Sequence, residues 1–260
     1  MSESDPNKKS FWEHLEELRW RLVRSVTYVV VAMAAAWIWR QDLLMLLRYP
    51  AEAGAAVAGI EDFSFRIFEA AGGIILMMQI SLVAGIIAAS PLMFIELWLF
   101  IEPALEKHEK RYVVVMVPAA TALFLGGVAF CYWISPKAFA FFFRFNVGIG
   151  VRPELTLQPY LYFLLRLLLV FGLVFEMPLA LAFLARVGLV SQRQLISWWR
   201  YAVVIIFIIA AVATPTVDPV TMSLMAGPMV FLYGLSVLLC GLVEKKRKEG
   251  LAEAGTGEVG

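Results

Sequence analysis

Phe171-Gly172-Leu173-Val174-Phe175-Glu176-Met177-Pro178 sets one carboxylate and one proline deep inside an apolar run that extends from Pro159 to Val187. A run of about 30 residues exceeds the ~20 that a helix needs to cross a bilayer. Near the centre of a spanning helix a carboxylate costs roughly 2.5–3.5 kcal/mol, so it must face protein or water, become protonated, or meet a partner. Glu176 is therefore a candidate functional residue, and Pro178 beside it is a natural bend site.

Working outward, the chain is 61% hydrophobic and its apolar residues fall in long blocks separated by short polar segments. That composition excludes an ordinary soluble domain and fits a multi-pass membrane protein. Hydropathy places six spans: Val23 to Trp39, Gly72 to Phe100, Tyr112 to Ile134, Pro159 to Val187, Tyr201 to Ala213 and Val220 to Val243. An even number sets both ends on one side. Lys8, Lys9, Arg19, Arg21 and Arg24, then Lys107, Lys110 and Arg111, then Arg193, Arg200 and the Lys245-Lys246-Arg247-Lys248 tail all fall on that side. The opposite loops hold only Arg40, Arg48, Arg66, Lys137, Arg144 and Arg152. The positive-inside rule then predicts cytoplasmic termini. The expected organisation is a cytoplasmic amphipathic segment over 1–22, a six-helix transmembrane domain over 23–243, and a basic, then flexible, tail over 244–260. Residues 1–22 lack the basic region, short apolar core and small-residue site of a removable signal peptide.

Local signals refine this plan. Ser10-Phe11-Trp12-Glu13 reads as a capping box that starts a helix at Phe11. Phe11, Leu15, Leu18 and Leu22 then share one helical face, while Glu13, Glu17 and Arg21 form an i,i+4 charge ladder worth a few tenths of a kcal/mol. The second and fourth spans are long enough to tilt or bend, at Pro91 and Pro178. The fifth, Tyr201 to Ala213, provides only about 20 Å of helix against roughly 30 Å of hydrocarbon. Gly227-Pro228 is expected to interrupt the sixth in the same way. Outside the spans, Arg40 to Tyr49 reads as a short amphipathic helix closed by Pro50. Phe139, Phe141, Phe142, Phe143 and Phe145 read as an aromatic cap at the outer interface.

Other chemistries find no support. Cys131 and Cys240 are expected on opposite sides of the bilayer, and His14 and His108 have no convergent ligand spacing. No phosphate loop, nucleophile elbow or dinucleotide signature is present. No catalytic centre, metal site, cofactor or nucleic-acid partner is expected.

His14-Leu15-Glu16-Glu17-Leu18-Arg19 before the first span, Pro103-Ala104-Leu105-Glu106-Lys107-His108-Glu109 after the second, and Phe171-Gly172 with Phe175-Glu176-Met177-Pro178 in the fourth closely resemble the TatC family. Trp98 and Phe100, the Tyr132 and Pro136 region, and Thr214-Pro215 followed by Asp218 add to the likeness, which runs from about residue 11 to residue 243. The resemblance implies an all-α integral membrane protein, with six transmembrane helices in a curved, glove-like arrangement and both termini cytoplasmic. It implies a receptor in the cytoplasmic (inner) membrane for twin-arginine signal peptides of folded precursor proteins. Its partners would be single-span TatA-type and TatB-type subunits in an oligomeric complex surrounded by lipid, and the protonmotive force would drive export.

On that resemblance Glu17 and Glu109 match the signal-peptide site, with Arg19 and Lys107 in the same motifs. Carboxylates suit the task, because a guanidinium fork can donate paired hydrogen bonds that an ammonium cannot reproduce. Glu176 matches the intramembrane glutamate, implied to lie in a cavity on the concave side, and Asp218 is an external-loop candidate. Four features depart from the family pattern: Glu96 where Gln is frequent, Gly234 where Glu is frequent, the insertion of Thr216-Val217, and Arg166. Arg166 precedes Glu176 by about 15 Å of helix and faces roughly 80° away from it. A secondary transporter with Glu176 and Arg166 at a midplane solute or ion site is the competing reading.

Overall fold

The computed structural model describes residues 11–67, 72–102, 113–151, 153–213 and 219–256. These form helices α1 (Phe11–Ile38), α2 (Arg40–Val57), α3 (Gly72–Ile101), α4 (Val113–Gly148), α5 (Leu157–Phe175), α6 (Met177–Val187), α7 (Gln192–Ser197), α8 (Trp199–Ala213) and α9 (Pro219–Thr256). Two short strands, β1 (Phe65–Arg66) and β2 (Leu155–Thr156), pair in parallel, with Phe65 opposite Leu155. Among the described residues five helical stretches are long and apolar enough to span a bilayer, and the sixth apolar helix, Trp199–Ala213, is shorter.

Proline is where sequence and structure part. Expected to close α2 and to interrupt α9, Pro50 and Pro228 instead lie inside continuous helices, and α4 runs on through Pro136 to carry the aromatic cap. An interior proline lacks a donor and crowds the carbonyl four residues back. Packed apolar helices absorb that as a kink when neighbours restore the freed groups, and Pro50 is fully buried. The sixth span is consequently not short: Thr221–Lys245 is one apolar stretch of 25 residues. The helix also continues to Thr256, into the region expected to be a tail.

The chain divides into two compact units, Met1–Ala122 with Pro136–Leu161, and Leu123–Ser135 with Tyr162–Gly260. In the first, α1 carries no glycine or proline from Phe11 to Ile38 and runs antiparallel to α3. The His14 ring stacks on Phe100 at 4.3 Å. Farther along, α3 approaches so closely that a Cβ on Gly85 would lie 2.7 Å from the Met33 nitrogen. The aromatic cap obeys helical spacing. Phe139 and Phe143, four apart on α4, are buried among Phe63, Phe65 and Tyr160, whereas Phe141 and Phe145 are exposed. The Tyr160 hydroxyl donates to the Leu47 carbonyl at 2.7 Å, tying α5 to α2.

The second unit is built around Phe171-Gly172. Phe124 on α4 lies against Gly172, and a Cβ on Gly127 would meet the Phe171 carbonyl oxygen at 2.5 Å. Phe130 fills the neighbouring space against Phe171 and Phe175. Gly127→Ala is therefore expected to force the helices apart and cost about 1–3 kcal/mol. Gly126→Ala, with nothing within 4 Å of its new Cβ, should be neutral or stabilising through helix propensity. Thermal unfolding of the two purified variants in detergent checks the contrast.

Helix α5 ends at Phe175 because Pro178 supplies no N–H for the turn before it, and the ladder tightens to Glu176 N–H on the Leu173 carbonyl at 3.1 Å. Helix α6 resumes at Met177 and stops at Gly188, whose φ of 86° forms the left-handed cap. Ser191 and Gln194 then close a capping box on α7. The Tyr233 hydroxyl donates to the Leu195 carbonyl at 2.7 Å, and the Gln192 N–H donates to Glu244 at 3.1 Å, fastening α7 to α9.

Candidate functional site

Glu17 lies on the first turns of α1, beside the carboxy-terminal end of α3 marked by the His14–Phe100 stack. Its Oε1 accepts from Arg21 Nε at 3.1 Å and also from Arg21 Nη2. The i,i+4 ladder read from the sequence is thus formed at this step. It extends across to α3, because Arg21 Nη1 donates to Glu96 Oε2 at 3.2 Å. Tyr28 donates its hydroxyl proton to Glu96 Oε1 at 3.2 Å, and Arg24 Nη1 stands 3.8 Å from the same oxygen.

Burial grades this cluster. The Glu96 side chain is 7% exposed and those of Glu17 and Arg21 are each 17% exposed, whereas Arg24 is 59% exposed. The inner three groups are held where water screens them weakly, and a buried charge is tolerated there because each has a partner. Glu17 and Glu96 with Arg21 between them sum to one net negative charge, which Arg24 balances from the exposed side. The carboxylates present the planar acceptor that a guanidinium matches. Arg19 is exposed on α1.

Sequence reasoning missed Tyr28 and the joining of Arg21 to Glu96. One signal was present: Arg21 and Tyr28 are seven residues apart and share a helical face. Their common acceptor lies 75 residues beyond Arg21, a separation that no periodicity in α1 encodes. Lys107, Glu109 and Asp218 lie outside the described residues.

Glu176 occupies the junction of α5 and α6, and its side chain is half-buried. Its Oε1 is enclosed and has no hydrogen-bond partner among the described residues, although the carboxylate lies against the Phe124 backbone of α4. Arg166, the other half of the solute-site reading, is otherwise engaged: its Nη1 donates to the Val212 carbonyl at 3.1 Å. Val212 lies in the last turn of α8, where carbonyls lack intrahelical donors. Arg166 therefore caps a short helix rather than facing Glu176, and the transporter reading loses its cation. Cys131 and Cys240 are buried free thiols. Among the described residues no group of three His, Cys, Asp or Glu is placed to hold a metal.

Comparison with known proteins agrees across nearly the whole chain. The family model for the Sec-independent protein translocase protein (TatC) matches residues 13–228. A Sec-independent protein translocase protein TatC from Koribacter versatilis (strain Ellin345) is 33% identical over 252 residues, 96% of this chain and 92% of that one. The protein of that name from Desulforapulum autotrophicum is 36% identical, over 96% of this chain and 91% of its own. A crystal structure of a twin-arginine translocase receptor TatC superposes with a TM-score of 0.80 at 32% identity, covering 89% of this chain and 99% of that one.

Proposed function

Since this chain belongs to the TatC family of Sec-independent protein translocase proteins, we propose that its Glu17 cluster is the docking point for the paired arginines of a signal peptide. As a family member it is a multi-pass membrane protein and a translocase component. The finer reading is a receptor in the cytoplasmic membrane, amino and carboxyl termini inside, that performs no chemistry of its own. It delivers folded precursors to single-span TatA-type and TatB-type subunits, and the protonmotive force drives the transfer. The distribution of Lys and Arg supports the orientation.

The observation that carries the docking point is the Glu17 carboxylate, which already accepts two hydrogen bonds from one guanidinium. The second acid, Glu109, follows seven residues after the last described residue of the α3 end, Glu102, within the ~25 Å that such a segment can span at most. Arg19 and Lys107 would steer the peptide or screen the acids, and Asp218 would act at the opposite face. Glu176 would offer a polar point within the membrane to a side chain of a TatA-type helix, and the short α8 would favour local bilayer thinning beside it.

Photocrosslinking tests the docking point directly. With a photoreactive residue at the exposed position 20, one turn from an intact Glu17, a precursor carrying two arginines is expected to crosslink, and its twin-lysine counterpart to crosslink less. Equal labelling of both precursors, or of neither, would remove Glu17 from the site.

A further inference from the structure

The receptor carboxylate carries a resident competitor. Arg21 divides its donors, with Nε and Nη2 on Glu17 and Nη1 on Glu96. An incoming guanidinium that uses Glu17 must displace or share with Arg21. That exchange is cheap only if Arg21 has somewhere else to place its charge. Glu96 is that place: it lies on the other helix, is buried, and already holds one end of the same guanidinium.

Resting on the proposed role of Glu17, we infer that Glu96 sets the affinity of this site for arginine ligands by holding Arg21 when a ligand takes Glu17. It is a positioning residue that need not touch the peptide. Its charge does two things that a neutral amide cannot. It keeps the Glu17–Arg21–Glu96–Arg24 cluster neutral rather than net positive, so that an approaching cation is not repelled. It also compensates Arg21 after displacement, which a glutamine oxygen does only weakly. With Gln at position 96, Arg21 would stay on Glu17 as a neutral pair, and a second guanidinium would meet the first. Arg24 cannot substitute for Arg21 here. It is mostly exposed and sits 3.8 Å from the Glu96 oxygen that Tyr28 also uses, so solvent weakens its hold.

The test is a suppression experiment on the full chain in detergent or nanodiscs, titrated with a synthetic peptide in which Arg-Arg precedes an apolar stretch. Glu96→Gln is expected to weaken binding about fivefold to tenfold, less than the loss of a whole charge-assisted contact because the amide oxygen still accepts from Arg21. Glu96→Asp should retain most of the affinity. Arg21→Gln added to Glu96→Gln should restore binding to the original level or above, because the competitor has gone with its holder. A purely structural role for Glu96 would instead leave the double variant as weak as Glu96→Gln or weaker, and that result overturns the inference, as does unchanged binding by Glu96→Gln. Melting curves of each variant separate lost affinity from lost fold. Glu17→Ala measured alongside separates the two readings. If it weakens binding while Glu96→Gln does not, only the role of Glu96 fails; if Glu17→Ala itself has no effect, the docking point fails.

Discussion

Glu17→Ala is expected to weaken binding of a twin-arginine peptide roughly 10- to 30-fold, about 1.5–2 kcal/mol, and binding of a twin-lysine peptide only about threefold. The size follows from competition. A charge-assisted contact contributes about 1.5–3 kcal/mol when the carboxylate is otherwise idle. Here Arg21 already fills Glu17 Oε1, so the ligand gains only the difference between its own contact and the one it displaces. The arginine preference follows from geometry, since a guanidinium delivers parallel donors and an ammonium is a point charge. Even two contacts at the idle value would give roughly 3–6 kcal/mol, short of the ~8 that micromolar binding needs. The apolar stretch of the peptide must supply the rest by burial, so a peptide lacking it should bind weakly even to the intact site. Isothermal titration with the two peptides checks both statements; equal losses for arginine and lysine would show that Glu17 attracts charge without reading its shape.

How much of this was legible in the sequence depends on the range over which each feature is encoded. The short α8 and the break at Glu176 before Pro178 follow from residues within one or two turns of each other, whereas the Ser10 capping box expected to start α1 lies outside the described residues. The charge ladder from Glu17 to Arg21 is equally local. Pro50 and Pro228 mislead because the rule that proline ends a helix assumes solvent-facing neighbours, and these lie in packed or apolar helices. The pairing of Arg21 with Glu96 and the capping of Val212 by Arg166 are tertiary. Glu96 and Arg166 stood out only as departures from the family pattern, which named the partner of neither. The glycines show the same limit. Gly127 and Gly126 are adjacent and alike in sequence, yet one meets the Phe171 backbone and the other open space.

Glu176→Leu is expected to cut export at least tenfold while leaving the melting temperature unchanged or raised. An enclosed carboxylate oxygen without a hydrogen-bond partner costs about 1–3 kcal/mol of folding free energy. Glu176 Oε1 is in that condition among the described residues. A side chain kept for stability would be satisfied, as Tyr160 and Tyr233 are by backbone carbonyls. Leu has similar volume, removes the unsatisfied atom, and suits the apolar junction between α5 and α6, so the fold should tolerate it. The backbone bend does not depend on the carboxylate, because it is set by Pro178 and by the tightened turn from Glu176 to Leu173. Loss of export without loss of stability would thus assign the carboxylate to a meeting with something outside this chain. Glu176→Gln refines the point. If the partner needs only a polar contact, the amide should recover part of the export; if charge is required, it should behave like Leu. Pairing a precursor export assay with melting curves in detergent gives both readouts, and a Leu variant that melts several degrees lower while exporting normally would return Glu176 to a structural role.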